Sequence, residues 1–316
     1  MLYIHRGFVL SVRCNRGADK LYMSKICSIA TTFATTFRPD LSMNDQPDIQ
    51  DTSQLTVDQA IENLKGDDLG LRIYAAWWLG RFRVNSEAAI QVLITALLDE
   101  DDRTEAGGYP LRRNAARALG KLSDQQAVPY LIQALGCSDF YVREAAAQAL
   151  EQLGNPSSVP KLLELLRDQA PRTAIPELPQ LAQPFDAIVE ALGTLGAVEA
   201  MADIAPLLEH EVPRVRYAAA RAMYQLTADP EAASYYGDLL INELSNDDLQ
   251  LRRAVLSDLG AIGYLPAAEA IANTLAENSL KLIALKGLLE KELQQTASLE
   301  LSDGAKTVMA LMDELL

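Results

Sequence analysis

One helical phrase recurs along this chain, and such a recurrence leaves few folds open. It reads LRIYAAWWLG around Leu79, LRRNAARALG around Leu119, VREAAAQAL around Leu150, VRYAAARAM around Met223 and LRRAVLSDLG around Leu259. Weaker copies end at Leu192 (PFDAIVEAL) and Leu288 (LKLIALKGL). Each strong copy places an apolar residue eight positions before its anchor, then Arg, then small residues at helix-packing positions. Anchors roughly 30 to 40 residues apart predict an all-α, HEAT-like helical-repeat solenoid of about six to seven helical pairs. Each unit of such a fold buries its apolar face against the next, and the stack offers a long surface for gripping something large. Only 6% of residues are aromatic against 49% hydrophobic, a balance rich in Ala and Leu that suits close helix packing.

The first helix of a pair is expected over residues 126–135 and 157–166, with Pro129 and Pro160 in first turns, where a missing N–H costs little. The same pattern returns over 200–208 and 266–275. Short polar turns follow, and Asp139 and Asp248 are the expected caps of second helices. In the second helix, apolar residues fall eight, four and zero places before the anchor. Positions six and two before it, and two after it, therefore form a separate stripe. That stripe holds Ile73, Trp77 and Arg81, then Arg113, Arg117 and Lys121, then Glu144, Gln148 and Gln152. It continues with Asp186, Glu190 and Thr194, then Tyr217, Arg221 and Gln225, then Arg253, Ser257 and Ala261. Second helices line the concave side of such solenoids, so this variable stripe is the expected binding surface. A solvated charged stripe is also what any soluble helix needs. The Arg seven before the anchor (Arg72, Arg112, Arg143, Arg216, Arg252) predicts a structural ladder with turn acids such as Asp139.

Several functions are disfavoured. A net charge of −15 speaks against nucleic acid as the main partner, because neutralising phosphates needs a basic surface. No apolar run approaches the length of a membrane span. Cys137 is the one cysteine of the repeats and His210 their one histidine. That scarcity fits a reducing compartment and speaks against a disulfide frame or a structural zinc site, so no metal is expected. The sequence lacks GxxxxGK[ST], GxGxxG after a strand, HExxH and GxSxG, and His210 leaves no nucleophile–base arrangement. Cys137 reads as an ordinary turn thiol, although a helix start can lower a thiol's pKa.

Residues 1–42 form a basic, Ser/Thr-containing leader without the repeat phrase. It reads as a transit peptide or, as the favoured alternative, as an artefact of a start site that truly lies at Met43. The solenoid is expected over 43–316. Two connections break its rhythm, DEDDRTEAGGYP at 99–110 and DQAPRTAIPELPQLAQP at 168–184. Loops of this length carry function or are tolerated insertions. Periodicity and composition alone stop at a helical-repeat interaction protein.

The phrases themselves go further. YAAWWLGRFRV (74–84), DRTEAGGYPLRRNAARALGK (102–121), CSDFYVREAAAQA (137–149), RYAAARAMYQL (216–226), LRRAVLSDLGAIGYLPAAEAIA and AENSLKLIALKGLLE resemble the E-type (alpha) subunit of the E/F heterodimeric bilin lyases. The resemblance runs from about residue 55 to about 290 without a large gap, and the leader has no counterpart. It implies a heterodimer with an F-type helical-repeat subunit, acting in the cyanobacterial cytoplasm during phycobilisome assembly. The pair would attach phycocyanobilin, as substrate, to a cysteine of the phycocyanin alpha subunit, with no tightly bound cofactor. A thiolate adds to the ethylidene group of ring A, so the acceptor protein supplies the nucleophile that this chain lacks. Proximity and orientation then provide much of the acceleration. A proton must also reach the pigment's carbon framework, and no residue is identified from the sequence as its donor.

An open-chain tetrapyrrole carries two propionates, pyrrole N–H groups and a long apolar face. In stripe geometry, Arg113, Arg117 and Arg221 are the expected propionate partners. Trp77, Tyr217 and Tyr109 are the expected stacking rings, and Asp186 or Glu190 would hold pyrrole nitrogens. Trp77 serves equally well as a contact for a partner protein, whereas Trp78 is expected in the core. Two alternatives remain: a lyase that isomerises the pigment to phycoviolobilin, and a non-catalytic scaffold for phycobiliprotein assembly or breakdown.

Overall fold

The computed structural model describes residues 55–105, 107–168, 183–295 and 300–316, all within one compact unit, Leu55–Leu316. The leader, the expected boundary at Met43 and most of the 168–184 connection lie outside the described residues. Among the described residues there are fifteen α-helices and no strand. Helix α1 (Val57–Lys65) pairs with α2 (Leu69–Arg81), α3 (Glu87–Leu97) with α4 (Pro110–Leu122), and α5 (Val128–Ala134) with α6 (Phe140–Leu153). Then α7 (Val159–Arg167) pairs with α8 (Phe185–Thr194), and α9 (Met201–Ile204) with α10 (Pro213–Leu226). Finally α11 (Pro230–Glu243) pairs with α12 (Leu249–Ile262) and α13 (Ala268–Asn273) with α14 (Asn278–Gln295), before a last helix, α15 (Asp303–Leu315). The chain is an all-α, HEAT-like solenoid of seven helical pairs.

Local chemistry sets the helix ends. The carboxylates of Asp68, Asp139 and Asp248 accept backbone N–H groups at the starts of α2, α6 and α12, which satisfies donors that no helical carbonyl can reach. Pro129 and Pro160 sit in the first turns of α5 and α7. The first helices are less regular than their sequence pattern suggests. A 3-10 turn precedes α5, α7 and α13, and over 200–208 only Met201–Ile204 is α-helical before a second 3-10 turn. Pro206 lacks the N–H that would continue the α ladder there.

The second helices stack as a continuous layer. Leu79, Leu119, Leu150, Leu192, Leu259 and Leu288 are wholly buried and Met223 nearly so. After four of these anchors comes a glycine that lets backbone rest on backbone. A Cβ added at Gly80 would fall 2.7 Å from the Ala118 Cα, at Gly120 2.8 Å from that of Ala149, and at Gly193 2.7 Å from that of Ala222. Gly260 approaches Ala284 in the same way, at 2.9 Å. The α6/α8 and α10/α12 contacts lack this device, for Glu151 and Tyr224 stand where the other copies have glycine. The apolar core also divides at α10, whose Val215, Ala218 and Met223 join one cluster while Tyr217 and Ala220 join the next.

The arginine ladder is structural, with a correction to its partners. Arg72 reaches the Leu64 carbonyl (3.2 Å), Arg112 that of Leu97 (2.9 Å), Arg143 that of Cys137 (2.7 Å) and Arg216 that of His210 (2.9 Å). Arg252 donates to the Asn246 carbonyl, and Lys281, seven before Leu288, to that of Ala272 (3.0 Å). Arg72, Arg112 and Lys281 thus close the carbonyl ends of α1, α3 and α13, which the helix dipole favours, whereas Arg143, Arg216 and Arg252 tie down the turn before their own helix. Of the turn acids, Asp99 forms an ion pair with a rung, Arg72. Asp139 is occupied by the N–H groups of Tyr141 (2.8 Å) and Tyr109 (2.7 Å).

The described part of the 99–110 connection is tied down. Thr104 N donates to the Gly108 carbonyl (2.9 Å), Gly108 N to the Thr104 hydroxyl (3.0 Å), and the buried Asp102 carboxylate accepts from Leu111 N. Gly107 adopts a φ of 85°, a left-handed turn that favours glycine.

Candidate functional site

The variable stripe forms three rows across the second helices, and its character changes along the stack. At its N-terminal end it is open. Trp77 on α2 is 45% exposed with its ring 5.5 Å from that of Tyr74. Arg117 on α4 is exposed, and its one ionic neighbour is Glu144 at 3.9 Å. Arg113, one turn earlier, lies with its guanidinium 5.7 Å from the centre of the Tyr141 ring. No carboxylate of the described residues is within ion-pair distance of Arg113, and its buried Nε has no hydrogen-bond partner.

Further along, the rows close over a buried ion cluster. Arg221 on α10 contacts Glu151 of α6, Glu190 of α8 (3.3 Å) and Asp258 of α12 (3.4 Å). Arg214, one helix end away, contacts Glu190, Asp258 (2.7 Å) and, at the rim, Asp186 (3.9 Å). The Thr194 hydroxyl donates to Glu151 (2.9 Å). Two buried carboxylates, Glu190 and Asp258, and the partly exposed Glu151 thus share two guanidinium groups, and this imbalance favours retention of a proton. Burial outweighs the attraction of Arg214 and Arg221 and pushes Glu190 up to about 8. Asp258 is raised by burial as well.

The expected pigment contacts therefore separate by depth. Trp77, Arg113, Arg117 and Asp186 lie on the accessible face. Glu190 and Arg221 are locked in the ion cluster. Tyr217 is 2% exposed and donates its hydroxyl to Glu243, and burial first, then Glu243, raises its pKa. Tyr109 is buried at the start of α4, its ring 5.0 Å from the Arg112 guanidinium. Trp78 is half-buried and packs on the core, its ring 4.7 Å from that of Phe82. Cys137 is buried.

Comparison with known proteins identifies the lineage. Residues 105–175 match a family of HEAT repeats and residues 71–99 the PBS lyase HEAT-like repeat. The phycocyanobilin lyase subunit alpha of Microchaete diplosiphon is 73% identical over 270 residues, 85% of this chain and 92% of that protein. The chain belongs to the phycocyanobilin lyase alpha-subunit family. The homologous subunit of Pseudanabaena tenuis is 66% identical over 87% of this chain and all of that protein. Among solved structures, the complex of CpcE and CpcF of phycocyanin lyase from Nostoc contains a chain 56% identical to this one. It aligns with a TM-score of 0.78 over 87% of this chain and 100% of that chain. This agrees with the resemblance read from the repeat phrases.

Sequence reasoning did not single out Arg214, Asp258 and Glu151, three members of the ion cluster. Glu151 directly follows its anchor, where four other copies carry glycine, and Asp258 directly precedes its anchor, where Ala118, Ala149, Ala191 and Ala222 stand elsewhere. A carboxylate in a close-packed small-residue position was the available signal. No helix among the described residues is long and apolar enough to cross a membrane.

Proposed function

We propose that this chain is one subunit of a cytoplasmic, heterodimeric lyase that works with an F-type helical-repeat partner. The pair attaches phycocyanobilin through a thioether bond to a cysteine of the phycocyanin alpha subunit, with the pigment as substrate and no tightly bound cofactor. The supporting observation in this chain is a pair of accessible cations next to the helix that exposes Trp77: Arg113, with no described carboxylate in ion-pair distance, and Arg117, paired only loosely with Glu144 at 3.9 Å. Further along the face Arg214 and Arg221 are held by carboxylates, whereas these two are available for propionates. Trp77 offers a flat apolar surface for a pyrrole ring, and the rim carboxylate Asp186 is at hand for pyrrole N–H groups. Holding one pigment conformer against an incoming thiolate turns a promiscuous addition into a directed one.

Co-expression with an F-type subunit, the phycocyanin alpha subunit and a phycocyanobilin source tests this reading. A red-absorbing adduct that survives denaturation, formed only with both lyase chains, is expected. Replacing Arg113 and Arg117 together by Ala should cut adduct formation by about tenfold or more with the far-UV helical signal unchanged. Unchanged attachment would refute the assignment of these arginines. A violet-shifted adduct would indicate an isomerising lyase, and stable binding of the apoprotein without an adduct a scaffold.

A further inference from the structure

The polar face contains a partly buried carboxyl group, that of Glu144, with no hydrogen bond among the described residues. Glu144 projects from α6 in the same row as Arg113 on α4 and Asp186 on α8. Its carboxylate makes no hydrogen bond with a described residue, and its closest cation is Arg117, at 3.9 Å. The deeper acids Glu151, Glu190 and Asp258 are engaged by guanidinium groups within the cluster, and Asp186 at its rim stands 3.9 Å from Arg214. Glu144 is half-buried, with 22% of its side chain exposed, so a ligand lying on the face can reach it. Burial first, and then the like charge of Asp186, raise its pKa above the ordinary glutamate value. Arg117, Arg113 and Arg214 oppose that shift. A half-buried carboxyl without a hydrogen bond, loosely paired with Arg117 and flanked in its row by Arg113 and Asp186, is suited to carrying a proton to a bound molecule.

We propose that Glu144 is the proton donor of the attachment reaction. This rests on the lyase reading above. The acceptor thiolate forms a C–S bond to the exocyclic ethylidene carbon, and the C=C electron pair moves to the ring carbon that carries it. The Glu144 carboxylic acid delivers its proton to that ring carbon. The proton lost when the thiol ionised passes through solvent and returns Glu144 to its acid form, so that H and S together add across one double bond. No electrons are exchanged with a third party. Arg113 and Arg117 hold the propionates from α4, and Asp186 faces Arg214.

The test uses the complete heterodimer with acceptor and pigment, comparing wild type, Glu144→Gln and Glu144→Asp. Three quantities are read: non-covalent pigment binding, the single-turnover rate of adduct formation across pH, and the placement of deuterium in heavy water. With Glu144→Gln, binding should stay within about twofold while the rate falls about 100-fold. The alkaline decline of the wild-type profile should also vanish. Wild type should deliver deuterium to one face of ring A, the Gln variant to both, and Glu144→Asp should restore facial selectivity. An unchanged rate and profile, or a rate loss that merely follows lost pigment binding, would overturn the donor role. Failure of the wild-type heterodimer to form any adduct would instead remove the lyase reading, and the donor role with it.

Discussion

Replacing Arg221 by Met probes the buried ion cluster at its centre. Arg221 is 8% exposed and its guanidinium is shared by Glu151, Glu190 and Asp258. Without it, Arg214 is the one cation left to the buried Glu190 and Asp258, and Glu151 keeps only the Thr194 hydroxyl at 2.9 Å. Removing one partner from a buried pair costs about 3–5 kcal/mol, because the charge left behind is uncompensated. Proton uptake by a carboxylate relieves part of that cost, so the lower end, about 3 kcal/mol, is expected near neutral pH. For a domain of this size that corresponds to a fall in Tm of about 10 °C. Thermal unfolding followed by far-UV circular dichroism measures it. The deficit should shrink as pH falls toward the ordinary carboxylate range, because the raised acids Glu190 and Asp258 are then buried neutral. Adding Glu151→Gln to the Met variant should recover part of the loss, although Glu151→Gln alone destabilises. A loss below about 1 kcal/mol, or one that does not narrow in acid, would refute the picture of a mutually dependent buried cluster.

Glu190→Gln should flatten the pH dependence of stability. The folded acid keeps its proton up to about 8, whereas the unfolded one releases it near 4.5. The folded state therefore binds more protons across that window, and stability is greatest below it and declines as pH rises through it. Urea unfolding at a series of pH values reports the slope, which should be lost in the variant. Gly120→Ala would place a Cβ 2.8 Å from the Ala149 Cα, forcing α4 and α6 apart at a cost of about 1–3 kcal/mol, measurable by the same unfolding curves. Trp77→Ala, at a side chain 45% exposed, should leave stability within about 1 kcal/mol of wild type yet lower pigment attachment in the co-expression assay.

Anchor spacing, caps and helix-starting prolines were legible in the sequence because each is a local rule with a side-chain signature. The ladder at Arg72, Arg112, Arg143, Arg216 and Arg252 was legible as a ladder, but its partners were not. They are carbonyl oxygens, which leave no trace in residue identity. The stripe was correctly placed on one helical face, while its depth was hidden. Trp77 and Arg221 occupy equivalent positions, yet one is open and the other sealed. That difference comes from Arg214, which reaches over Glu190 and Asp258 from a position outside the stripe. Tyr217 shows the same effect, for its ring falls into the second core cluster, where α10 meets α11 and α12. Contacts set by the separation of neighbouring helices belong to tertiary packing and are invisible to a single-helix periodicity.

The uneven use of glycine along the stack has a mechanical consequence. Where Gly80, Gly120, Gly193 and Gly260 bring backbones together, helices are riveted, since a close-packed contact resists both sliding and opening. That yields three stiff segments: α2, α4 and α6; α8 and α10; α12 and α14. The two joints between them are filled by long side chains whose ion pairs tolerate displacement. Arg214 and Arg221 sit in the middle segment and reach across both joints, to Glu151 on one side and Asp258 on the other. Bending is therefore concentrated at two places, and a single pair of arginines acts as the tendon for both.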